Sequence, residues 1–127
     1  MRSPIKILVV DDDDRERLLL KTLLTRMGDG YEVVAARNGC EALEMAKHSV
    51  FNVLLTDLRM PKMGGVALTK AFVKLYPQTI VIWITAYGPH LHKAVKQLPV
   101  YRCLDKPVEI DEIRQTVLDA LHHGGML

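Results

Sequence analysis

Five short, β-branched apolar runs alternate with five stretches of helical spacing, and this alternation limits the fold more than any other feature of the chain. The apolar runs cover 5–10, 31–36, 51–56, 79–84 and 100–104. In the first intervening stretch Leu19, Leu20, Leu23, Leu24 and Met27 form one stripe, and Gly28 and Gly30 supply the stop. The second opens on Asn38 with Glu41 three residues later, a capping-box pattern. The third carries Leu68, Ala71, Phe72 and Leu75 and ends before Pro77. The fourth has Leu91, Ala94, Val95 and Leu98 behind Pro89, and the fifth has Ile110, Ile113, Val117, Leu118 and Leu121. Strands alternating with helices predict an α/β fold with a parallel sheet covered on both faces. The near-continuous apolar strands suit burial on both sides. A single (βα)5 doubly wound domain is expected over 1–127, with its core at about 5–122 and a short tail at 123–127.

A chain of 127 residues suits one domain with a core of its own, and 49% hydrophobic with 25% charged residues excludes a disordered or collagen-like chain. The longest apolar run is the five residues from Ile80 to Ile84, against the ~18 that span a bilayer. The apolar residues after Pro4 are too few for a signal-peptide core and end in four aspartates, so a cytoplasmic protein is expected. A formal charge of +2 is too small to imply nucleic acid or an anionic membrane. Lys62, Lys70, Lys74, Lys93 and Lys96 read as a solvated face. Cys40 and Cys103 are expected as free thiols.

In an open parallel sheet, ligands bind beyond the carboxyl ends of the strands. Here those ends carry Asp11-Asp12-Asp13-Asp14 after the first strand, Asp57 after the third, Thr85-Ala86 after the fourth and Lys106-Pro107 after the fifth. Clustered carboxylates hold protons unless a cation neutralises them, and a hard divalent ion with oxygen ligands answers that need. Three carboxylates, one Mg²⁺ and the Lys106 ammonium make a formally neutral pocket able to accept a phosphoryl group. An ester on Asp57 would replace its single negative charge with about two, to be met by the lysine and the threonine hydroxyl. Asp13 and Asp14 read as a helix start favoured by the dipole. His90 and His92 are two apart on a helix and make a poor metal pair, and His122 and His123 suit a helix C-terminus.

Four segments carry a resemblance: ILVVDDDD at 7–14, VLLTDLRMPKMGG at 53–65, VIWITAYG at 81–88 and LDKP at 104–107. Taken in this order, the chain resembles the receiver domain of two-component response regulators. The resemblance implies a flavodoxin-like sheet in the order 2-1-3-4-5. It implies Asp57 as phosphoacceptor and Mg²⁺ (or Mn²⁺) as cofactor. The metal would be held by Asp12 directly, Asp11 through water, Asp57, and the backbone carbonyl of Arg59. Thr85 corresponds to the switch hydroxyl and Lys106 to the lysine that pairs with the phosphoryl group, with a cis bond before Pro107. Pro61 and Gly65 match the turn after the phosphoacceptor.

Two departures from the family pattern stand out. Most receivers carry Tyr or Phe three residues before the lysine, where this chain has Cys103. Tyr101, two residues upstream and by simple alternation on the same strand face, is the expected substitute in the switch. Arg59 and Tyr87, each two residues beyond a site residue, occupy positions that in this family tune loss of the phosphoryl group. The implied function is a phosphorylation-activated switch that modifies only itself and is no enzyme with turnover on a separate substrate. Its implied partners are a sensor histidine kinase or phosphotransfer protein and a downstream effector protein or domain, with no direct nucleic-acid or membrane binding. Dimers through the fourth and fifth helices are a family habit, and the oligomeric state stays open. Competing readings are a phosphate-independent binding module on the same fold and an aspartate-nucleophile phosphohydrolase. Against the latter, no threonine stands two residues beyond the D-x-D pattern. No G-x-G-x-x-G supports a nucleotide site.

Overall fold

Apolar residues at nearly every position make the strands of this chain suited to burial from both sides, and the sheet they form is fully parallel. The computed structural model describes residues 3–86 and 97–127. Its elements are β1 (Ile5–Val10), α1 (Asp14–Thr25), β2 (Tyr31–Ala36), α2 (Gly39–Ala46), β3 (Val53–Asp57), α3 (Gly65–Leu75), β4 (Ile80–Thr85), β5 (Val100–Asp105) and α4 (Ile110–His123). The helix α4 corresponds to the fifth helical stretch of the sequence. Pro89, Leu91, Ala94 and Val95 of the fourth stretch lie outside the described residues, as do Tyr87, His90, His92, Lys93 and Lys96. The sheet order is β2-β1-β3-β4-β5.

Alternation along the strands feeds two cores. Ile7, Val9, Leu55, Ile82, Ile84 and Leu104 meet Leu20 and Leu24 of α1 and Ile113, Val117 and Leu121 of α4. Leu8, Val10, Leu54, Val81 and Trp83 meet Ala42 and Ala46 of α2 and Leu68 and Phe72 of α3. The helix ends follow local chemistry. Asn38 caps α2 by accepting from the Glu41 N–H at 2.9 Å, but the Glu41 carboxylate turns to Arg37 at 3.2 Å, so only half of the expected capping box forms. After α1, Gly28 takes φ +146°, a conformation other residues rarely adopt, and the chain turns into β2. Cys40 on α2 and Cys103 on β5 are free thiols. No helix among the described residues is long and apolar enough to cross a membrane.

Trp83 is the largest fully buried side chain, and its indole N–H donates to Thr69 Oγ1 of α3 at 2.8 Å. Truncation there would leave a cavity and remove that bond. Trp83→Ala is expected to cost about 3–5 kcal/mol, read as a lowered urea midpoint by circular dichroism.

Candidate functional site

The end of β1 builds one wall. Asp11 still donates its N–H to Ala36 O at 3.2 Å, which holds it against β2, and only 1% of it is exposed. Its Oδ1 accepts the Asp13 N–H at 2.9 Å. Asp13 in turn caps α1, accepting from the Glu16 N–H at 2.9 Å. Arg17 clamps this first turn, donating to the Asp11 carbonyl at 2.9 Å and pairing with Asp14. Asp13 and Asp14 are thus helix-start residues, as their place in the aspartate run suggests, while Asp11 turns inward and Asp12 is exposed.

The end of β3 supplies Asp57, whose Oδ1 accepts the Arg59 N–H at 3.3 Å. The loop beyond it is tight. The Met63 N–H reaches Pro61 O at 2.8 Å around Lys62, which takes φ +68°, and the Gly65 N–H closes on Leu58 O at 2.9 Å. Carboxylate oxygens of Asp11, Asp12 and Asp57 all lie within 4.8 Å of one another.

The end of β5 brings the counter-charge. The Lys106–Pro107 bond is cis, and the Lys106 N–H donates to Thr85 O at 2.8 Å, tying it to the end of β4. Its Nζ stands 2.6 Å from Glu16 Oε2, 2.9 Å from Asp57 Oδ2 and 3.9 Å from Asp11 Oδ2. Thr85 is fully buried, one residue beyond the Ile84 that pairs with Asp57.

One ammonium therefore serves three carboxylates, and the acidities show it. Burial pushes Asp11 up to about 7, although the Asp13 N–H pulls the other way. Burial alone would lower Lys106, yet its hydrogen bonds to Glu16 and Asp57 more than offset this and hold it above the usual lysine range. The same Lys106 contact holds Glu16 below the ordinary carboxylate value. Such a pocket is short of positive charge and lined by oxygen donors, which suits a small divalent cation and, beside it, an anionic group.

Five of the residues singled out in the sequence meet here: Asp11, Asp12, Asp57, Thr85 and Lys106. Tyr87 lies outside the described residues. Tyr101 corrects the expectation from simple alternation. The β4–β5 ladder pairs Val81 with Val100 and then Ile82 with Arg102, so Tyr101 is the extra residue of a bulge. It consequently packs against the α1–α4 core and meets His123 in a tilted ring contact, with ring centroids 5.3 Å apart. Cys103 pairs with Trp83 and lies against the other core, on the strand face that Trp83 shares with Thr85. Tyr101 therefore packs on the opposite side of the sheet from Cys103. Burial, and then the charge of Asp105, raise the pKa of the half-buried Cys103 thiol. Glu16 was not legible as a site residue. At the third position of α1, three after the capping Asp13, it would be expected to reach back to the Asp13 N–H. Asp11 already takes that N–H, which frees Glu16 to reach Lys106.

A model of the response regulator receiver domain matches residues 7–118. The chain belongs to this family. Among curated proteins it is 39% identical over 121 residues to the transcriptional regulatory protein ZraR of Escherichia coli K12, covering 94% of this chain and 27% of that protein. The receiver thus spans about a quarter of the length of such relatives. Among solved structures, a CheY-like receiver domain protein of Methanospirillum hungatei superposes with a TM-score of 0.90 at 27% identity, covering 97% of this chain and 98% of the other. The response regulator TrrA of Thermotoga maritima, solved in complex with Mg²⁺–BeF, gives a TM-score of 0.83 at 30% identity over 92% of this chain and 99% of its own. The observed strand order is the one that the family resemblance implies.

Proposed function

We propose that this receiver takes a phosphoryl group on Asp57 from the phosphohistidine of a sensor histidine kinase or phosphotransfer protein, and passes the signal to an effector protein or domain. The observation that carries this is the placement of Asp57 Oδ2 2.9 Å from Lys106 Nζ, with the Asp11 and Asp12 carboxylates beside it. An Asp57 carboxylate oxygen forms the new O–P bond as the P–N bond of the donor breaks. The electron pair stays on the imidazole nitrogen, the donor's other ring nitrogen carries the proton, and neutral imidazole leaves. Lys106 Nζ stabilises the charge on the phosphoryl oxygens.

Asp11, Asp12, Asp57 and the backbone carbonyl of Arg59 would hold Mg²⁺ (or Mn²⁺). The excess of carboxylates over ammonium and the raised Asp11 fit that ion. When bound, it supplies positive charge that a second anionic group needs in order to enter. The phosphorylated Asp57 engages the Thr85 hydroxyl, and the Cys103 face of β5 relays the change. The receiver catalyses its own phosphorylation and dephosphorylation and turns over no separate substrate. It acts in the cytoplasm, with phosphorylation-dependent pairing of two copies as one mode of output. The exposed Lys62, Lys70 and Lys74 are a solvated face and no nucleic-acid site.

Intact-mass measurement after incubation with Mg²⁺ and acetyl phosphate tests this. One added phosphoryl group, absent without Mg²⁺, is the expected result. No adduct, together with Trp83 fluorescence indifferent to beryllium fluoride, would point to a phosphate-independent binding module. Arg59 is exposed beside Asp57, and the family resemblance gives it, together with Tyr87, the role of tuning loss of the phosphoryl group. The Arg59→Ala, Tyr87→Ala double variant is therefore expected to lose its phosphoryl group roughly threefold faster or more, followed by the decay of the mass adduct. Equal decay would remove the tuning role.

A further inference from the structure

We propose that Glu16 is a positioning residue that holds the Lys106 ammonium in the unphosphorylated protein and must release it before the phosphoryl group is bound. The inference rests on the reading of Asp57 and Lys106 given above, and concerns a residue outside that set.

Three observations carry it. First, Glu16 makes the shortest of the Lys106 contacts, 2.6 Å against 2.9 Å to Asp57. Second, Glu16 is aimed by construction. Helical side chains lean toward the helix N-terminus, which here is the site itself. The Asp13 cap and the Arg17 clamp on the Asp11 carbonyl fix the first turn, and the Asp13 N–H that would otherwise draw Glu16 is occupied by Asp11. Third, the partners differ in exposure. The Glu16 side chain is 43% exposed, whereas those of Lys106 and Asp57 are 22% and 11% exposed. Glu16 can therefore swing into water at little cost, while Asp57 cannot leave. A phosphoryl group on Asp57 brings new oxygens to the same ammonium and a second negative charge within reach of Glu16, so the exposed carboxylate is the one displaced. Glu16 thus slows entry of the phosphoryl group, and its removal frees Lys106 in advance.

Two variants separate this from a general effect of charge. Glu16→Gln removes the charge, and Glu16→Asp keeps it but shortens the side chain below contact distance. Phosphorylation by acetyl phosphate with Mg²⁺ is expected to run about three- to fivefold faster in both. A rate unchanged in Glu16→Gln overturns the proposal. A faster rate in Glu16→Gln with a wild-type rate in Glu16→Asp also overturns it, since repulsion at a distance would then suffice. Labelling of Lys106 by an N-hydroxysuccinimidyl ester, read by peptide mass without any phosphoryl donor, gives a measure independent of Asp57. It should be faster than wild type in both variants, and equal labelling would overturn the proposal. Should the wild type take no phosphoryl group while Lys106 labelling still responds to Glu16, the hold on Lys106 stands and the reading of Asp57 fails.

Discussion

Asp57→Asn takes up no phosphoryl group from acetyl phosphate, while the wild type takes one: this is the largest effect expected of any single substitution here. The carboxamide has the shape of the carboxylate and keeps an oxygen that can accept from the Arg59 N–H or Lys106 Nζ. It lacks the negative charge and the nucleophilic oxygen that form the bond to phosphorus. Folding should be little affected. Lys106 keeps Glu16 at 2.6 Å and Asp11 at 3.9 Å, and one of three crowded negative charges is gone. A change in unfolding free energy within about 1 kcal/mol is expected from urea titration, so loss of the adduct would report chemistry and not collapse. An adduct on the Asp57→Asn protein would move the acceptor to another carboxylate of the cluster.

The second large effect falls on a residue with no side chain. A Cβ on Gly65 would lie 2.3 Å from the Asp57 carbonyl oxygen and 2.8 Å from Leu58 Cα, both backbone atoms. The first turn of α3 and the end of β3 approach so closely that only glycine fits between them. Gly65→Ala must push one of the two aside, and a loss of roughly 2–4 kcal/mol is expected by urea unfolding. The closest of these atoms belongs to Asp57, so phosphoryl uptake should fall even at temperatures where the variant is fully folded. Gly30→Ala is the control. Nothing lies within 4 Å of a Cβ there, and stability close to wild type is expected.

The fold and the meeting point of Asp11, Asp12, Asp57, Thr85 and Lys106 were legible because each depends on a strand end. Alternation of apolar runs and helical stripes locates strand ends to within a residue or two. Two features escaped for local reasons. Tyr101 sits in a bulge, where one unpaired residue reverses the face of everything before it, and nothing in the pattern of 100–104 announces that. Glu16 and Glu41 stand in the same relation to their caps, yet one goes to Lys106 and the other to Arg37. For Glu16 the Asp13 N–H is already taken by Asp11, and that is a property of the folded loop. Spacing alone cannot carry it.

The ammonium and the carboxylate that meet in the ion pair Lys106–Glu16 are 90 residues apart in the chain. Synthesis from the N-terminus delivers Asp11, Asp12, Glu16 and Asp57 well before Lys106. Until β5 docks on the outer edge of β4, a partial sheet would carry that acidic cluster with no lysine to answer it. The last strand thus completes the sheet and the charge balance in one event. An unfinished chain is electrically unlike the finished protein at the very place where a donor would approach it.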